Sequence, residues 1–300
     1  MGKCPCCSSA KPIIKTYGKH SYDNGNYYLG DLLNNTPHGK GILYLKNNEI
    51  KYDGDFANGK KEGNGKYFFE DKEMFVMENN KKFYFMKGDF YTGQWSNDKM
   101  NGQGTIYLNN GKIKYKGDFV DNKFAGYGRY NFESGGYYIG QFLNDMQHGS
   151  GKLYDKNGNI MIDGNFVNDH IDGNGKIYLT NGNYFIGQFK EGKIHGKGKT
   201  YTKNGNIIFE GEYINNKKEG IGKYYFKNGI YGIVPFVDNK MHGRGEVYLN
   251  NGTLLYEVYF INGKVRNKEK KSGMNYNYNI EELLNDQHHE DREFIESAYY

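Results

Sequence analysis

Along most of this 300-residue chain an aromatic-x-Gly-x-aromatic segment is followed, at a fixed interval, by Gly-x-Gly. Tyr28, Gly30 and Leu32 lead to Gly39 and Gly41, and Tyr52, Gly54 and Phe56 lead to Gly63 and Gly65. Later copies start at Tyr91, Tyr115, Tyr138, Ile162, Phe185 and Phe209. In all eight copies the Gly-x-Gly begins nine positions after the central glycine, and successive central glycines are 24, 39, 24, 23, 24, 23 and 24 residues apart. An insertion of about 15 residues therefore falls between Gly54 and Gly93. A ninth copy keeps Phe236, Gly243 and Gly245 but has Val234 in place of its central glycine, and Tyr256, Val258 and Phe260 begin a half-copy. A period of this length constrains the chain to a stack of small units, each closing against its neighbours, with irregular units at the ends.

The unit is a β-hairpin. The chain has 43 Gly, 30 Tyr and 19 Phe but only four Ala and four Pro. Glycine opposes helix and aromatic residues favour pleated surfaces, so sheet is the expected backbone. Side chains alternate along a strand, which puts Tyr52, Gly54 and Phe56 on one face, and rings from a neighbouring strand can cover the gaps that glycines leave. Asn-Gly at 157–158, 181–182, 204–205, 228–229 and 251–252 marks tight hairpin turns. The other loop of each unit is rich in Asn, Asp and Lys, as at 215–218. The reading is all-β: an elongated, single-layer antiparallel sheet of about nine stacked hairpins and about 18 strands, with a short C-terminal helix.

The pattern resembles the MORN (membrane occupation and recognition nexus) repeat, YxGxW/F followed by GxGxY, over roughly residues 23–264. The resemblance implies a scaffold at a membrane or cytoskeleton that grips a partner helix or a second copy of itself. On that basis the partner-binding face is assigned to Tyr91, Trp95, Tyr115, Phe119, Tyr138 and Phe142. A groove of regularly spaced rings suits an amphipathic helix. Repeats of this family have also been proposed to bind phosphoinositides, and Lys40, Lys66, Lys152, Lys176, Lys197, Lys223 and Arg244 are the candidate headgroup ligands.

The flanks differ from the array. Residues 1–22 read as a flexible leader whose Met1-Gly2-Lys3-Cys4-Pro5-Cys6-Cys7 start resembles an acylation site, with Gly2 as myristate acceptor and Cys4, Cys6 and Cys7 as palmitate acceptors. One acyl chain binds membranes only marginally, so a second signal matters. Residues 265–300 read as a polar linker and then a helix over 279–298, either an end cap or a partner-binding tail. The insertion, 70–87, reads as an extra hairpin of the same sheet or as a basic-aromatic loop for a membrane or partner.

Charge and motifs narrow the function. Forty cations and 35 anions are interspersed, for a net +5, so charge implies no nucleic-acid partner. The three cysteines lie together at the start and cannot staple the fold or complete a zinc site. His38, His148, His195 and His242 precede Gly-x-Gly in separate copies, at a polar loop position rather than a metal site. Asp53 with Asp55, and Glu210 with Glu212, flank central glycines and read as a solvated face. No phosphate-binding loop or nucleophile elbow is present. The expectation is a non-enzyme without cofactor or metal, on the cytoplasmic face of a membrane such as a protist's pellicle or inner membrane complex. A soluble axonemal or cytoskeletal scaffold is the alternative.

Overall fold

The computed structural model describes residues 14–76, 82–226 and 229–271. The acylation-like leader residues and the expected C-terminal helix lie outside the described residues. The chain divides into two compact units, residues 1–132 with 141–146, and residues 133–140 with 147–300.

The first unit contains β1 (Lys15–Ser21), β2 (Tyr27–Leu33), β3 (Thr36–Tyr44), β4 (Ile50–Ala57), β5 (Lys60–Phe68), β6 (Met74–Val76), β7 (Lys82–Tyr84), β8 (Phe90–Ser96), β9 (Lys99–Tyr107), β10 (Ile113–Val120) and β11 (Lys123–Asn131). The division falls on β12 (Tyr137–Leu143). The second unit continues with β13 (Met146–Tyr154), β14 (Ile160–Val167), β15 (His170–Tyr178), β16 (Tyr184–Lys190), β17 (Lys193–Tyr201), β18 (Ile207–Ile214) and β19 (Lys217–Tyr225). It ends with β20 (Tyr231–Val237), β21 (Lys240–Met241), β22 (Gly243–Tyr248), β23 (Leu254–Ile261) and β24 (Lys264–Lys270). Among the described residues, 22 strands belong to one open antiparallel sheet, and β6 with β7 form a separate two-stranded sheet. Strand pairing begins at Lys15 and runs to Lys270, because β1 and β24 satisfy the outer backbone of the first and last hairpins. The strand therefore reaches beyond 23–264 on both sides.

Three glycines per repeat do two jobs. The first of each Gly-x-Gly has positive φ, for example +65° at Gly63, beside a β-bulge that shifts the register of β4 against β5. The central glycine and the second of the pair make room. A Cβ on Gly54 would lie 2.5 Å from Gly65 Cα and 2.6 Å from the Tyr52 hydroxyl. The ring of Tyr52 rests on both glycines, and Tyr28, Tyr91 and Tyr115 repeat the arrangement. Each hydroxyl then donates to the backbone carbonyl three residues on: Tyr28 to Asp31 at 2.7 Å, Tyr52 to Asp55 at 3.1 Å, Tyr91 to Gln94 and Tyr115 to Asp118 both at 2.9 Å.

The tight turn is at the Asn/Asp pair, not at Asn-Gly. Asn97-Asp98, Asp121-Asn122 and Asn215-Asn216 have both central residues at positive φ, as a two-residue type I′ hairpin needs. Asn and Asp tolerate that region better than other non-glycine residues. At Asn157-Gly158 only the glycine is at positive φ, and Gly158 N–H donates to Asp155 C=O while Asp155 N–H donates to Asn159 C=O. That is a three-residue loop whose glycine forms the bulge.

The type I′ turns also clamp neighbouring repeats. The Asn122 amide oxygen accepts from Met100 N–H at 2.8 Å, while Asn122 N–H donates to Met100 C=O at 3.0 Å. Asp98 with Lys61, Asp145 with Phe124, Asp169 with Gln147, Asn216 with Ile194 and Asn239 with Lys218 repeat this two-bond clamp. Where the clamped residue is Pro37, which has no N–H, the turn carries Gly59 and only the backbone bond remains.

The repeats alternate in kind. β4, β10, β14, β18 and β23 have eight residues, and each absorbs one extra residue, Lys51, Lys114, Met161, Ile208 or Leu255, at a register shift against the preceding strand. The structural unit is thus a pair of repeats, and the alternating 24- and 23-residue spacings are its trace. On that alternation the Gly54 to Gly93 interval of 39 residues carries an insertion of 16, not 15.

The insertion is a hairpin, but not one of the sheet's. β5 pairs directly with β8, with Gly65 opposite Gly93, and the insertion leaves the plane as β6–β7. Gly88 sits in a turn at φ +98° rather than in a strand. Glu73 fixes the base, accepting from Lys51 Nζ at 3.0 Å, Tyr67 Oη at 2.9 Å and Glu70 N–H at 2.9 Å, and Phe69 stacks on Phe85 with centroids 3.5 Å apart. Burial opposes the charge of Lys51, yet Glu70, Tyr67 and Glu73 offset this and hold its ammonium above the ordinary lysine range.

Two outcomes follow for stability. Gly54→Ala should cost about 3 kcal/mol because its Cβ meets backbone, whereas Gly111→Ala, in open space at φ +80°, should cost about 1 kcal/mol; urea unfolding of both compares them. Asn122→Gly keeps the turn but orphans Met100 N–H, costing about 1 kcal/mol, and Asn122→Ala should cost about 1 kcal/mol more for its positive φ, read in the same melts.

Candidate functional site: the two faces of the repeat sheet

The face carrying the aromatic-x-Gly-x-aromatic residues is closed by its own side chains. In the first unit rings meet edge to face along the sheet, from Tyr28 on Phe56 through Tyr52, Trp95, Tyr91, Phe119 and Tyr115 to Phe142, with centroids 4.8 to 5.4 Å apart. The second unit has Tyr138 on Phe166, then Phe185, Tyr213, Phe209 and Phe236 in the same geometry. These are favourable aromatic arrangements. The second residue after a tight turn lies above a ring in several repeats, as Phe124 does on Tyr115 at 3.9 Å and Lys61 over Tyr52 at 5.9 Å. A ring with two glycines below and a lid above needs no second layer to be buried.

This placement bears on the expected partner face. Tyr91, Tyr115 and Tyr138 are fully buried, and Phe119, Trp95 and Phe142 expose at most 5%. Trp95 Nε1–H donates to Gly65 C=O at 3.4 Å. The structure brings the rings into zippers, but as core. A groove open to a helix would require them uncovered, and the glycine seats draw them in instead. Sequence alternation identified the face; the lid residues, which follow a turn and share no motif, were not legible.

The cations fall on the opposite, outward face in two rows. Lys40 and Arg244 lie between the glycines of a pair and form ion pairs, with Asp55 at 2.5 Å and Glu257 at 2.6 Å. Lys152, after a pair, meets Asp163 at 2.9 Å. Lys66, Lys176 and Lys223 each sit between two rings, 3.9 Å from Phe90, Tyr184 and Tyr231 and 4.3 to 4.9 Å from Phe68, Tyr178 and Tyr225. Such cation–π seats hold an ammonium in place. Lys197 makes no ion pair among the described residues. Six of the seven expected headgroup ligands are thus already engaged within the protein.

Several acids beside the glycines are backbone caps, and His38 takes such a place, whereas His148 and His195 each bury an Nδ1 without a hydrogen-bond partner. Asp55 Oδ2 accepts from Asn64 N–H at 2.9 Å, and Gln94, Asp118 and Gln188 do the same for residues nine further on. Partial burial raises the Asp55 carboxyl, but Lys40 and the Asn64 N–H outweigh this and hold it below its usual range. The residue before Gly-x-Gly is a strand position that caps the first turn residue of the next repeat: Glu62 accepts from Asn97 N–H and Glu219 from Asp238 N–H, both at 2.9 Å. His38 occupies the same place, 3.4 Å from Asn58 N. Among the described residues no group of His, Cys, Asp and Glu is arranged to hold a metal, and no helix is long and apolar enough to cross a membrane.

A sheet of self-sealed hairpins with a closed aromatic face and a patterned polar face defines a repeat-based binding or scaffold module. The family model described as MORN repeat matches residues 28–49, 52–74, 91–113, 115–137, 138–160, 163–184, 185–207, 209–231 and 236–254, and the chain belongs to the MORN repeat family. Human alsin is 35% identical over 101 residues, 34% of this chain and 5% of alsin. MORN repeat-containing protein 3 of Xenopus laevis is 37% identical over 84 residues, 28% of this chain and 31% of that protein. The chain thus spans only a minor part of these relatives. A crystal structure of a Bacteroides caccae protein of unknown function aligns over 86% of this chain and 87% of its own at 9% identity, with a TM-score of 0.17 that carries no argument.

The seated tyrosines set an alkaline limit. Burial first, and Asp31 next, push Tyr28 up to about 12, and burial raises Tyr52, Tyr91 and Tyr115 further. An unfolded tyrosine ionises near 10, so this contribution is complete below pH ~10 and is lost as pH rises through ~10 towards 12. Circular dichroism against pH should show unfolding in that window, with a smaller tyrosinate rise below it than free tyrosine gives.

Proposed function

We propose that this chain is a non-enzymatic scaffold or tether at a membrane–cytoskeleton boundary, held by acyl groups on Gly2, Cys4, Cys6 and Cys7 and presenting its sheet to a protein partner or a second copy. The observation that supports it best is the self-sealed aromatic face: the described strands bury their rings without a second layer, so the outward face is the one left for contact. The rings Tyr91, Trp95, Tyr115, Phe119, Tyr138 and Phe142 serve as core, and a partner meets the outward face. The phosphoinositide reading is weaker, since Lys40, Lys152 and Arg244 are paired with carboxylates, while Lys66, Lys176 and Lys223 keep their charge but are held over rings.

Membrane partition in a eukaryotic cell tests the anchor. Full-length wild type should pellet with membranes, and both Gly2→Ala and the triple change of Cys4, Cys6 and Cys7 to Ser should turn soluble. If all three pellet until salt is raised, the sheet itself holds the membrane and the lipid-headgroup reading takes over. If all three stay soluble, a cytoskeletal scaffold without acylation replaces both.

A further inference from the structure

Strands such as β3, β5 and β9 each carry a glycine that a ring from the preceding strand covers, and β1 has the glycine without the ring. Gly18 pairs with Gly30 as Gly65 pairs with Gly93. A Cβ on Gly65 would meet Tyr52 at 2.2 Å, whereas on Gly18 the nearest atom is Leu32 Cδ1 at 3.4 Å. Among the described residues β1 pairs with β2 alone. Ile14 C=O accepts from Asn34 N–H and Tyr22 N–H donates to Asn26 C=O, both on the β2 side. Backbone groups alternate in direction along a strand, so Lys15, Tyr17, Lys19 and Ser21 turn theirs to the other edge. Such an edge is a template for a further strand.

The side chains of β1 select that strand. Lys66, Lys176 and Lys223 each have one ring two residues on along their own strand, at Phe68, Tyr178 and Tyr225. Lys19 holds the same place after its glycine and lies 4.0 Å from Tyr27, but two residues on is Ser21, which offers no ring. Tyr17 meanwhile is 71% exposed and Ile14 57% exposed. We propose that β1 pairs antiparallel with β1 of a second copy, Gly18 against Gly18. Tyr17 then stands opposite Lys19 of the other copy on both sides of the two-fold axis, giving each lysine a second ring. Ile14 meets Tyr22, Thr16 meets His20 and Lys15 meets Ser21, so no like charges face each other. A slip of two residues in either direction sets lysine against lysine, which charge opposes. The inference rests on the second-copy reading above and is independent of the acyl anchor.

Sedimentation velocity of the full chain with Cys4, Cys6 and Cys7 changed to Ser tests this. Seven residues a side make a small interface, so a dimer dissociating at about 10 μM is expected. Tyr17→Lys, at a position too exposed to matter for folding, should raise the dissociation constant about tenfold or more, whereas Tyr17→Glu, which offers Lys19 a carboxylate, should keep the dimer. In the same background Gly18→Cys should link to itself in a glutathione redox buffer, while Lys268→Cys on β24 should not. A chain monomeric at about 100 μM, a dimer indifferent to Tyr17→Lys, or linking at Lys268→Cys in place of Gly18→Cys would each overturn the proposal, and none of these would alter the membrane-partition result.

Discussion

An aromatic ring lying flat on two glycines is the contact on which the rest of this protein depends. It turns one sheet into its own core: the glycines remove the Cβ atoms that would hold the ring off, the ring excludes water from the backbone beneath it, and the lid residue closes the top. A single-layer sheet would otherwise leave one face without cover. Because the seat uses the central glycine of one strand and the second glycine of the next, it also fixes which residues stand opposite each other. Gly54 faces Gly65, and Gly187 faces Gly198, so the register follows from where a ring can fit.

The seat has a partner interaction at the turn. Side chains of Asn and Asp at positive φ reach back to the preceding repeat, so each hairpin is bonded to its neighbour at its tip as well as along its edge. Stability in such an array is a sum of intrinsic and nearest-neighbour terms. Rings supply the apolar part of the neighbour term, and Asn and Asp the polar part. Where the turn residue is glycine, as Gly59 against Pro37, Gly192 against Ile171 and Gly263 against Met241, only the backbone bond remains.

Most of the architecture was legible because its signal is a spacing. Tyr52-x-Gly54-x-Phe56 and the Gly63-x-Gly65 that follows state the hairpin, its faces and its neighbours. What was not legible depended on backbone conformation or on contacts between distant residues. Asn-Gly looked like the tight turn, yet the Asn-Asp and Asn-Asn pairs adopt it, since both tolerate positive φ while Asn-Gly has room for a three-residue loop. Asp55 looked like surface charge and His38 like a loop residue until their N–H partners were placed. Tyr91 and Trp95 were rightly set on the aromatic face, but an alternating pattern cannot distinguish a ring that waits for a partner from a ring seated on its own glycines.

The pairing of unlike repeats carries a consequence for how such an array changes length. Opening strands with an extra residue, such as β10 and β14, alternate with seven-residue opening strands such as β8 and β12, and each bulge forms against the nine-residue strand that precedes it. Duplicating one 23-residue stretch would set two hairpins of the same kind side by side and break the alternation at that junction. Gain or loss of a whole 47-residue pair preserves the alternation, so copy number is expected to change in even steps.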